Sequence, residues 1–67
     1  MRFEVEFDRE VDGRWIAEIT NLPGAMAYGE TREIALAAVE AIALRALAER
    51  LENGQESLKT AVEFACA

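Results

Sequence analysis

Hydrophobic and polar residues alternate over the first part of the chain, then change period. From Arg2 to Asp8, Phe3, Val5 and Phe7 fall on one side, and Glu4, Glu6 and Asp8 on the other. A period of two predicts a half-buried strand, apolar within and acidic without. Asp12-Gly13 follows, a hairpin signal because both residues tolerate positive φ. Arg14 to Thr20 alternates again, with Trp15, Ala17 and Ile19 inward and Arg14, Ile16 and Glu18 outward. Ile16 is the apolar exception on that outer side, and a partner or a loop would cover it.

The stretch Leu22 to Thr31 carries the switch to a helical period. Pro23 fixes φ and Gly24 permits a tight bend. Ala25 to Tyr28 is predicted as a short third strand that Gly29 breaks, and the three strands form an antiparallel meander. Thr31 then offers an N-cap for a helix over Arg32 to Glu52, a run without glycine or proline. Glu30 and Glu33 place negative charge at the positive end of the helix dipole. Asn53-Gly54 supplies the stop. A helix of about 20 residues is about 30 Å long.

Two apolar stripes run along this helix. Ala35, Leu36, Val39, Ile42, Ala43, Ala46 and Leu47 keep the spacing of a face turned to the sheet. Ala37, Ala41, Leu44 and Ala48 form a second stripe, roughly 150° away at 100° per residue. One sheet covers only the first. Alanine favours helices and tolerates solvent, so the second stripe could be plain surface. The small domain and the central Leu44 favour self-association instead, with a dimer as the first choice. After a polar connection, Gln55 to Lys59, alternation returns over Thr60 to Ala65, with Val62 and Phe64 on one face. This predicts a fourth strand, parallel to its neighbour and placed by a right-handed crossover beside the first strand. The fold class is therefore α+β, ordered β-β-β-α-β, in one domain spanning residues 1–67.

Composition narrows the function. The chain is 52% hydrophobic and 30% charged, a globular balance, and its net charge is −6. A chain so acidic repels phosphate backbones, which argues against direct nucleic-acid binding. A basic protein partner suits it better. Cys66 is the single cysteine, so no internal disulfide is possible. The start runs directly from Met1 into strand-like sequence, and no apolar run is long enough to span a bilayer. A cytoplasmic protein is expected, with no membrane association.

Little in the chain supports catalysis. There is no histidine, the usual general base and commonest metal ligand. Ser57 lies in a polar connection without an evident base, and Cys66 has no cationic neighbour in sequence to activate it. No catalytic, cofactor-binding or metal-binding residue is assigned, and a non-enzymatic role is expected. Glu4, Glu6, Asp8 and Glu18 share the outer face of the first two strands, and clustered carboxylates on a sheet can hold Mg²⁺. Alternation alone also places charge on a solvated face, and that is the stronger explanation. A metal-dependent nuclease relic is thus a minor alternative.

One resemblance joins these pieces. The string Phe3-x-Val5-x-Phe7, Asp12-Gly13-x-Trp15-x-Ala17, Leu22-Pro23-Gly24, Ala27-x-Gly29-Glu30-Thr31 and Glu33-x-Ala35-Leu36 resembles the HicB-like antitoxin family, over Phe3 to about Leu51. The resemblance implies a partial ribonuclease H-like fold. It also implies a partner, a small basic HicA-type toxin that cuts mRNA and is blocked when the antitoxin binds. Three departures stand out. Over these 67 residues no DNA-binding module, of the kind with which many members repress their operon, is expected. Ala25 stands where a cysteine is common, and Ile34 where a glutamate often completes a capping box. Glu4, Glu6, Asp8, Glu10, Asp12 and Glu18 are the candidate contacts to a basic partner. Ala37, Ala41, Leu44 and Ala48 are the candidates for self-association. The alternative is an orphan structural or regulatory oligomer without a toxin.

Overall fold

A computed structural model describes residues 1–54 and 56–67; of the expected polar connection, Gln55 lies outside the described residues. The alternating segments form strands β1 (Arg2–Arg9) and β2 (Trp15–Ile19), followed by β3 (Met26–Gly29). The apolar-periodic run forms helix α1 (Arg32–Glu52), and β4 (Glu63–Cys66) closes the order. All four strands make one sheet in the order β3-β2-β1-β4. β1 pairs antiparallel with β2, β2 pairs antiparallel with β3, and β4 lies parallel to β1. The α+β class and the β-β-β-α-β order are those the periodicities predict.

Sheet and helix meet across a small core. Phe3, Val5, Ala17, Ile19 and Ala25 from the strand region pack with Ala35, Val39, Ala43 and Leu47 of α1, all buried. Several are alanines, which lets the helix axis lie close to the sheet. The helix lies over β2 and β3. Leu58 and Val62 of the returning connection pack on the same core. Phe3 and Phe64 stack across β1 and β4, their ring centroids 5.4 Å apart.

Turn chemistry departs from expectation at three places. Of Asp12-Gly13, only Gly13 takes a positive φ, +92°. The hairpin closes through Glu10 N–H to Arg14 O (2.7 Å) and Gly13 N–H to Glu10 O (2.9 Å). That is a loop longer than two residues with its glycine in the left-handed region. β3 does end at Gly29, but it starts at Met26 rather than Ala25, one residue later at each end than expected, and Gly29 is its last residue, paired with Trp15. It is glycine because a Cβ there would stand 2.5 Å from Ala35 N and 2.9 Å from Ile34 C, inside the backbone of the helix start.

The third departure is β4, which begins at Glu63 rather than Thr60. A parallel ladder starts only where its neighbour does, and Glu63 N–H donates to Met1 O at 2.9 Å. The preceding backbone bends, with Lys59 at φ 52°, and the Met1 ammonium donates to Ala61 O at 2.7 Å. At the far end, Arg32 Nη2 donates to Ala67 O at 2.7 Å while its guanidinium lies 4.0 Å from the Phe7 ring centre. Among the described residues, no helix is long and apolar enough to cross a membrane.

Candidate functional site

The helix covers one face of the sheet and leaves the other open, so outward-pointing side chains define the available surface. Register decides which of them become neighbours. Asp8 pairs with Ile16, and Ile16 with Tyr28. Glu6 pairs with Glu18, and Glu18 with Met26. Two rows therefore run across β1, β2 and β3, acidic on the β1 side and apolar toward β3. Met26 and Tyr28 are each 46% exposed, high for large apolar side chains on strands. A shallow depression of about 230 Å³ lies among Glu6, Asp8, Ile16, Glu18 and Met26.

The six carboxylates predicted as contacts divide into two groups. Glu4 is held by Arg2, whose Nε donates to Glu4 Oε1 at 3.0 Å. Asp12 shapes the hairpin: Arg14 N–H donates to its Oδ1 at 3.2 Å, and Arg14 Nε to its Oδ2 at 2.9 Å. The Arg14 backbone N–H, aided by the guanidinium charge, holds the Asp12 carboxyl below its ordinary pKa of 3.8. Glu10, half-buried, sits in the same hairpin. A wider concavity of about 370 Å³ lies there, open to solvent and bordered by Val11, which is fully exposed.

Glu6, Asp8 and Glu18 make the second group. Among the described residues none of the three has an ion-pair partner. Glu6 and Glu18 face each other directly across the strands, an arrangement that disfavours the sheet. Among the described residues, no three His, Cys, Asp or Glu side chains come together as a metal-ion cluster. What this face can do chemically is attract and desolvate cationic groups. Its carboxylates supply the charge, and Ile16, Met26 and Tyr28 supply apolar contact.

Sequence alternation placed the acids on this face but missed the role of Met26. The signal was available in the two-residue period of β3, whose inward positions are the small Ala27 and Gly29. On the helix, Ala37, Leu44 and Ala48 are exposed and Ala41 is half-buried. Ile34 (53% exposed) and Leu51 (41%) extend that stripe at both ends and were not in the predicted set. Cys66 is exposed. Comparison with known proteins gives no match: no family model, no curated protein and no solved structure matches the chain.

Proposed function

We propose that this protein is a non-catalytic binding module, a HicB-like antitoxin that docks a small basic HicA-type toxin on the open face of its sheet and blocks the toxin's access to mRNA. The observation that carries this reading is the unpaired Glu6–Glu18 pair beside Asp8, Ile16, Met26 and Tyr28. A like-charge pair that costs the sheet stability is explained if a cation occupies it in a complex. The motif string from Phe3 to Leu51 supports the family, and the −6 charge supports a basic partner. The partial ribonuclease H-like fold belongs to the same proposal, as does a cytoplasmic location.

The test uses a purified HicA-type ribonuclease in an RNA-cleavage assay with increasing amounts of this chain. Inhibition saturating at a fixed ratio is expected, and Glu6→Lys with Glu18→Lys should weaken it about tenfold or more. Cleavage unaffected by the wild-type chain, with no complex on gel filtration, would overturn the proposal.

A further inference from the structure

Helix α1 is apolar on two sides, and the fold covers one of them. Starting at Ile34, apolar residues recur at Ala37, Ala41, Leu44, Ala48 and Leu51. The steps alternate between three and four residues along the whole helix, the heptad spacing that keeps a seam on one side. At 100° per residue this seam lies about 150° from the buried stripe Ala35, Val39, Ala43 and Leu47. Its three large side chains, Ile34, Leu44 and Leu51, are 53%, 50% and 41% exposed. The sheet lies on the opposite side of the helix and leaves Leu44 and Leu51 uncovered, while Ile34 touches the end of β3 only through its Cγ2.

Charge is confined to the margins of this seam. Glu33 and Glu40 follow one edge, and Arg45 and Glu52 the other. Among the described residues these four side chains form no ion pair within the chain. Glu40 and Arg45 are five residues apart, the separation at which opposite margins of two parallel helices meet. In an antiparallel pair the Glu33–Glu40 margin would instead face its own copy, acid against acid.

We infer that a second copy of this chain docks here, helix against helix in parallel, in a two-fold dimer layered sheet-helix-helix-sheet. Ile34, Leu44 and Leu51 each meet their own counterparts across the axis. Ala37, Ala41 and Ala48 let the helices approach closely. Glu40 pairs with the partner's Arg45, and symmetry makes that contact twice. The face is about 32 Å long and about 10 Å wide. Its projected area, about 320 Å² on each copy, is smaller than the interfaces of stable dimers, so a weak, transient dimer with a dissociation constant on the order of 100 μM is expected. The sheet's acidic faces point away from the axis, so the inference stands whether or not a toxin binds there.

Sedimentation equilibrium of the full chain over about 1–500 μM tests it, a range that brackets the expected dissociation constant. The wild type should shift from monomer to dimer, and Leu44→Glu should raise the dissociation constant about tenfold or more at unchanged far-ultraviolet circular dichroism. Glu40→Arg should weaken association, and Glu40→Arg combined with Arg45→Glu should restore it. A wild type that stays monomeric overturns the inference, as does a Leu44→Glu variant that dimerises like the wild type. Failure of the double reversal to restore association overturns the parallel arrangement.

Discussion

Gly29 ends β3 where the chain passes under the first turn of α1. The nearest atoms to a Cβ at this position belong to the backbone of Ile34 and Ala35, with the Ile34 Cγ2 at 2.9 Å. Backbone in a helix cannot rotate aside as a side chain can, so Gly29→Ala must push the helix off the sheet. A loss of about 1–3 kcal/mol is expected, read as a lower urea midpoint at an unchanged slope. Asp12 acts locally as well. Its folded pKa lies below its ordinary value of 3.8, chiefly through the Arg14 backbone N–H. The stabilisation is therefore complete above the unfolded pKa and is lost as pH falls through the folded one. Asp12→Asn should flatten the acid limb of a stability-against-pH curve below about pH 4 and leave the rest of its shape unchanged.

At the scale of elements, the sheet and helix each have a buried and an open side. For β1 and β2 the two-residue period was legible, and it placed Glu6, Asp8 and Glu18 outward. For α1 the 3.6-residue period was legible over its full length, together with the cap, where Thr31 Oγ1 accepts from Ile34 N–H at 3.1 Å. The fourth strand was legible as alternation but not in its limits, because those depend on where β1 begins. Cross-strand partners also lie at this scale. Glu18→Lys replaces a like-charge pair with an opposite one and should stabilise the isolated chain by roughly 0.2–1 kcal/mol. Thermal or urea unfolding checks this. The same variant should inhibit the toxin less well, so the fold would gain what binding loses.

For the whole molecule, two surfaces lie back to back. The acidic sheet face with Ile16, Met26 and Tyr28 is on one side, and the seam from Ile34 to Leu51 is on the other. The molecule is long and narrow, 42 × 19 × 17 Å, and the last buried residue of α1 is Leu47. The final turn of the helix thus extends past the core, and it carries Leu51 to the end of the seam. A dimer through the helices would leave both acidic faces free, so one assembly could hold two basic partners. Neither surface competes with the core, because each uses positions the period turns away from it.

The sequence by itself determined the elements and their order. Alternation and helical spacing are properties of neighbours along the chain, and side-chain direction follows from them without any tertiary contact. It also determined that the outer face of β1 and β2 would be acidic and that α1 would carry a second stripe. Only the tertiary structure decided which residues stand together. Register set Glu6 against Glu18 and placed Met26 beside them, and register depends on loops and packing far from those residues. The approach of α1 to β3 made Gly29, the expected end of that strand, a contact point as well. The position of the sheet behind the helix made Ile34 and Leu51 part of an open face. These are long-range facts, and a one-dimensional pattern carries no distance between segments that meet only when the chain folds.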